Sequence, residues 1–141
     1  TTTTLNLDDI KGKKILLVED NRANQMFMSL ILKKFGLVYE IANDGLEAIS
    51  AFEDGKFDLI LMDENMPNLN GIEATKYILE QEEKNKLIHT PIIALTANAL
   101  KGDREKFLDA GMDEYLTKPI SKDRLAEVFE EFLINSKESV C

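Results

Sequence analysis

The chain has 141 residues, 44% of them hydrophobic and 30% charged, with a formal net charge of −9. That length suits one domain with a core large enough to fold alone. The acidic balance excludes nucleic acid as a direct ligand, because phosphates would be repelled, and it favours a divalent cation or a basic partner surface instead.

The single cysteine, Cys141, stands at the last position and leaves no internal disulfide. No stretch reaches the roughly 20 apolar residues that a membrane-spanning helix needs, so no membrane contact is expected. No signal-peptide pattern opens the chain, and a cytoplasmic protein is expected. The start at Thr1 rather than Met leads us to expect an excised or processed segment.

In chain order, residues 1–10 are polar and predict a linker or tail. Lys13 to Val18 (KKILLV) forms a first buried strand that ends in two acids, Glu19 and Asp20. Asn21 can cap a helix. Ala23 to Phe35 follows with Met26, Phe27, Leu30, Ile31 and Phe35 near a helical period, and Gly36 closes it. Leu37 to Ala42 is a second strand, and Leu46 to Glu53 a second helix with Leu46, Ile49 and Phe52 on its apolar side.

Leu59-Ile60-Leu61-Met62 is an apolar run suited to a strand buried on both faces, and it ends abruptly at Asp63. Ile72 to Glu83 is a third helix, with Ile72, Thr75, Ile78 and Leu79 as its apolar side. Pro91 to Leu95 is a fourth strand with Thr96 at its end. Asn98 to Ala110 is a fourth helix with a weak apolar face, interrupted by Gly102. Asp113 to Thr117 is a fifth strand, followed by Lys118-Pro119. Ser121 caps a last helix through about Asn135, with Leu125, Val128, Phe129 and Phe132 facing inward. Residues 11–135 form the domain, and residues 136–141 a tail.

Five alternations of strand and helix predict an α/β fold: a flavodoxin-like, doubly wound, five-stranded parallel sheet with helices on both faces. The expected strand order is 2-1-3-4-5, which puts the switch point between the first and third strands. Glu19, Asp20 and Asp63 end those two strands, so the topology gathers three carboxylates. Acids in one crevice repel, and a cation is the natural answer at neutral pH. Oxygen donors without clustered His or Cys favour Mg²⁺. Asp20 and Asp63 could bind it directly, a backbone carbonyl near Asn65 could add a ligand, and Glu19 could act through water. No organic cofactor is expected.

Thr96 and Lys118 end the next two strands at the same edge. The lysine could neutralise an anion on Asp63, and the hydroxyl could donate a hydrogen bond to it. Such a set around a carboxylate nucleophile describes phosphoryl transfer to an aspartate. The sequence leaves open whether the Lys118–Pro119 peptide is cis. His89, in a polar connector far from these strand ends, is given no phosphohistidine or metal role.

Val18-Glu19-Asp20-Asn21, Met62-Asp63 with Met66-Pro67 and Gly71, Ala94-Leu95-Thr96-Ala97 and Tyr115-Leu116-Thr117-Lys118-Pro119 together resemble the receiver domains of two-component response regulators. The resemblance covers about Lys13 to Ile134. It implies that Asp63 accepts a phosphoryl group from a histidine kinase or histidine phosphotransfer domain. It also implies Mg²⁺ on Asp20, Asp63 and the Asn65 carbonyl, Lys118 against the phosphate, Thr96 as switch hydroxyl and Tyr115 as switch aromatic. The implied output is a change in the surface around the fourth helix and fifth strand, with slow self-catalysed phosphorylation and dephosphorylation. Asn24 and Leu95-Thr96-Ala97-Asn98-Ala99 with Gly102-Asp103 are closest to the receivers of hybrid sensor histidine kinases, which would make residues 1–10 an inter-domain linker.

A stand-alone single-domain regulator is the alternative. A Mg²⁺-dependent aspartyl-phosphate phosphohydrolase fits less well, because Asn65 stands where that class places a second acid. A monomer or weak dimer is expected.

Overall fold

The computed structural model describes residues 7–64, 66, 68–97 and 103–135. Five strands, β1 (Lys14–Val18), β2 (Val38–Ala42), β3 (Leu59–Asp63), β4 (Ile92–Thr96) and β5 (Glu114–Thr117), form one parallel sheet in the order β2-β1-β3-β4-β5. Helices α1 (Leu7–Ile10), α2 (Arg22–Lys34), α3 (Gly45–Asp54), α4 (Gly71–Lys84), α5 (Asp103–Asp109) and α6 (Lys122–Phe129) join or flank the strands. A π-helical stretch, Glu130–Asn135, extends α6. The expected order and parallel direction hold.

Alternation along each strand divides the core. Ile15, Leu17, Leu59, Leu61, Ile93 and Leu95 pack with α2 and α6, whereas Leu16, Val18, Ile60, Met62, Ile92 and Ala94 pack with α3, α4 and Phe107 of α5. β3 is buried at every position. Each of its large apolar side chains contributes roughly 1.5–3 kcal/mol by leaving water. The site therefore stands on a strand buried along its whole length, as β4 beside it also is, and this holds its terminal carboxylate in place.

The helices start where their caps stand. Asn21, Asp44, Asn70 and Ser121 each accept the amide of the third residue beyond, and Asn70 with Glu73 completes a capping box. Gly36, at φ +77°, supplies the left-handed turn that ends α2.

Three expectations need correction. Residues 1–10, expected as a linker or tail, include the helical turn α1, and Ile10 is fully buried in the α2/α6 core. On α2 the inward residues are Met28, Ile31, Leu32 and Phe35, while Met26, Phe27 and Leu30 are 64%, 47% and 59% exposed. That helix carries two apolar stripes, and the one at 28, 31, 32 and 35 meets the sheet. On α3, Ala48 and Phe52, four residues apart, face inward, and Leu46 is 55% exposed.

The helix expected from Asn98 to Ala110 is seen as α5, and residues 98–102 lie outside the described set. Of the tail, residues 136–141 likewise lie outside it.

Candidate functional site

The carboxyl ends of β1, β3, β4 and β5 bring Glu19, Asp63, Thr96 and Lys118 to one edge. Glu19 follows β1, and its backbone N–H donates to the Ala42 carbonyl of β2 at 3.0 Å. Its carboxylate is buried and accepts the Asn21 N–H at 3.1 Å, so the start of α2 orients it. Asp20 is exposed beside it. Carboxylate oxygens of Glu19, Asp20 and Asp63 lie within 4.8 Å of one another. The three predicted acids do converge.

Asp63 is only 4% exposed. Gly71 opens α4 directly against it, and a Cβ at that position would collide with the Asp63 carbonyl. Only glycine lets the helix approach so closely.

Lys118 completes the cluster. Its backbone N–H donates to the Thr96 carbonyl at 2.7 Å, which ties the residue after β5 to the end of β4. Its Nζ donates to Asp63 Oδ1 at 3.0 Å and to Glu19 Oε1 at 3.1 Å. The Lys118–Pro119 peptide is cis.

Electrostatics follow from this geometry. Burial pushes the Asp63 carboxyl up to about 6, against the pull of the Lys118 hydrogen bond and with further upward pressure from Glu19. Burial draws the Lys118 ammonium down, but its bonds to Asp63 and Glu19 more than offset that and leave it above its usual value. One ammonium against two buried carboxylates leaves net negative charge, with the acid Asp20 alongside. All the side-chain donors are oxygens, and a hard divalent cation fits them. Asn65, whose carbonyl was expected as a ligand, lies outside the described residues, as does Pro67.

Thr96 is fully buried at the end of β4, and its Oγ1 donates to Glu64 Oε1 at 2.9 Å. Glu64 in turn pairs through Oε2 with Lys106 of α5 at 2.9 Å. Neither Glu64 nor Lys106 was singled out from the sequence. Glu64 was visible as the neighbour of Asp63, but its hydroxyl partner is 32 residues away. Tyr115 is half-buried on β5, with its ring 6.2 Å from that of Phe107. An open groove of about 490 Å³ runs past Tyr115, Thr117, Pro119 and Arg124, along the outer side of β5.

His89 holds no place in this site. At the amino end of β4, its Nδ1 is 2.7 Å from Glu82 and its Nε2 2.8 Å from Asp113.

A parallel sheet with its acids and lysine at the topological switch point defines a ligand site of the doubly wound class. Within that class, residues 15–130 match the response regulator receiver domain, and the chain belongs to that family. It is 47% identical over 121 residues to hybrid signal transduction histidine kinase I of Dictyostelium discoideum, covering 82% of this chain and 7% of that protein. It is 38% identical over 118 residues to sensor protein GacS of Pseudomonas syringae pv. syringae, covering 84% of this chain and 13% of that protein. The chain thus spans only a small part of the length of these curated relatives.

Among solved structures, one similar chain comes from the complex of the Saccharomyces cerevisiae histidine phosphotransfer protein Ypd1 with the receiver domain of its response regulator Ssk1. Its TM-score is 0.81 at 35% identity, over 87% of this chain and 90% of that one. The receiver domain of a sensor histidine kinase from Pseudomonas aeruginosa, solved with a magnesium ion in its active site cleft, gives a TM-score of 0.77 at 43% identity. That match covers 86% of this chain and 98% of the other.

No helix among the described residues is long and apolar enough to cross a membrane.

Proposed function

We propose that this receiver domain works as a phosphoacceptor in a phosphorelay, with Asp63 taking the phosphoryl group from a phosphohistidine. The observation that carries the reading is the Lys118 ammonium, 3.0 Å from the buried Asp63 carboxylate and shared with Glu19. In the transfer an Asp63 carboxylate oxygen attacks phosphorus, the P–N bond to the donor imidazole breaks, and the acyl phosphate forms. Lys118 is placed to neutralise charge gathering on the phosphoryl oxygens. The buried setting strengthens that interaction and costs no reorganisation during the reaction.

Asp20 and Asp63 would hold Mg²⁺ directly and Glu19 through water, and the ion would supply further positive charge against the phosphoryl oxygens. Glu19 fixes Lys118 by the second arm of its ion pair, so the lysine does not depend on the phosphoacceptor alone for its position.

The Thr96 hydroxyl stands one strand away and donates to a phosphoryl oxygen once it leaves Glu64. Phe107 and Tyr115 pack together, and β5 pairs with β4 through Ala94 with Tyr115 and Thr96 with Thr117, so a shift at Thr96 reaches β5, α5 and the groove along β5. The effect on partners is a population shift between two arrangements of that surface.

The donor surface we assign to α2. Met26, Phe27 and Leu30 are exposed on a helix that starts directly after Glu19 and Asp20. Met26 lies four residues, about 6 Å of helix axis, beyond Arg22, the first residue of the helix. An exposed apolar patch beside the acid pocket suits a partner that must deliver a group into it.

The hybrid-kinase similarity makes a hybrid sensor kinase the parent protein in this reading, located in the cytoplasm. The test is transfer from a phosphorylated histidine phosphotransfer domain in the presence of Mg²⁺. Label should pass to this chain and not to Asp63→Asn; equal label on both would overturn the assignment.

A further inference from the structure

Glu64, the residue after Asp63, is pinned by its backbone. Its N–H donates to the Leu95 carbonyl of β4 at 3.0 Å, and its carbonyl accepts the Gly71 N–H of α4 at 3.1 Å. The side chain is thereby held beside the end of β4. Its two carboxylate oxygens are divided: Oε1 accepts from Thr96 Oγ1 and Oε2 from Lys106 Nζ, both at 2.9 Å.

A hydroxyl has one proton to donate. While Thr96 gives it to Glu64, it cannot give it to an oxygen carried on Asp63. The Glu64 carboxylate and a phosphoryl oxygen are both charged acceptors, so each makes a charge-assisted bond to the hydroxyl and the competition is appreciable.

We propose that Glu64 is a positioning residue that holds the Thr96 hydroxyl before phosphorylation, with Lys106 anchoring it to α5. This rests on the reading of Asp63 as phosphoacceptor. A phosphoryl group on Asp63 then competes with Glu64 for the Thr96 proton, and the Glu64–Lys106 pair registers the outcome at α5. Lys106 lies 5.6 Å above the Phe107 ring, which packs against Tyr115. The proton's choice of acceptor is thus linked by contact to the aromatic pair beside the β5 groove. Glu64 therefore sets how readily the domain enters its activated arrangement.

The test titrates beryllofluoride, a phosphoryl mimic that cannot be transferred, in saturating Mg²⁺. Amide shifts of Thr96, Lys106 and Tyr115 are the readout. Wild type, Glu64→Ala, Thr96→Ala and the double variant form a cycle. With Thr96 present, Glu64→Ala should lower the half-saturating concentration about fivefold, as expected for removing one competing hydrogen bond. With Thr96→Ala, the same change should have less than about a twofold effect. Thr96→Ser, which keeps the hydroxyl, should restore the dependence on Glu64.

The same fold-change in both backgrounds would mean that Glu64 acts only as a nearby negative charge, and it would overturn the proposal. No effect of Glu64→Ala with Thr96 intact would overturn it as well. If wild type gave no response at all, the phosphoacceptor reading itself would fall, and this inference with it.

Discussion

Lys118 Nζ bonds Asp63 Oδ1 at 3.0 Å across 55 residues of sequence, and this contact joins the ends of β3 and β5. It also places the Lys118 ammonium between two buried carboxylates. Lys118→Met should leave Glu19 and Asp63 facing each other without their shared cation, at a cost of roughly 3 kcal/mol at neutral pH. The pH dependence has a definite sign. The Asp63 carboxyl sits at about 6 in the fold, above its ordinary value of 3.8, so the folded state holds its proton while the unfolded chain releases it. The Asp63 contribution to stability therefore falls as pH rises from about 4 to about 6 and is level above that. Without Lys118 the Asp63 carboxyl moves higher and the fall extends further. Urea denaturation of metal-free protein at about pH 5 and about pH 7 should show a wider gap for Lys118→Met than for wild type.

His89 offers a second pH test at the opposite end of the sheet. Hydrogen bonds that the ring donates to the Asp113 and Glu82 carboxylates push its imidazole up to about 10, against the effect of burial. It is raised above its unfolded value of 6.5, so its contribution is fully present below about 6.5 and is lost as pH rises through about 10. The ring is 42% exposed, and solvent screening reduces the effect to about 1 kcal/mol. Wild-type melting temperature should fall between about pH 7 and about pH 10. That fall should be shallower in His89→Gln.

The contrast between these two sites shows what a sequence can carry. Asp63, Glu19 and Asp20 were legible because each follows an apolar run, and the strand order alone brings those ends together. Lys118 and Thr96 followed for the same reason. His89 looked like a residue in a polar connector, because its partners Glu82 and Asp113 belong to a helix end and to the position just before a later strand. Glu64 was hidden for a related reason: which way a side chain turns beyond the last strand residue depends on packing, not on period. On α2 the period was visible but ambiguous, since residues 26, 27 and 30 and residues 28, 31, 32 and 35 both form stripes. The sheet selects one, and the exposed stripe is where a partner is expected. Ile10 was missed because a four-residue helix leaves too short a pattern to read.

Charge placed on that exposed stripe separates docking from chemistry. Phe27→Glu should reduce phosphoryl transfer from a phosphohistidine donor about tenfold or more, as truncating a central interface anchor does. Phosphorylation by a small acyl phosphate needs no docking and should be unchanged. Loss of both activities would point to damage at the acid pocket instead of a lost partner surface.

The central claim concerns one oxygen atom on Asp63. Intact-mass spectrometry after incubation with a small acyl-phosphate donor and Mg²⁺ tests it most directly, with wild type and Asp63→Asn treated in parallel. Wild type should gain the mass of a single phosphoryl group, lost again on treatment with hydroxylamine, and Asp63→Asn should gain none. An equal gain in both proteins would contradict the account.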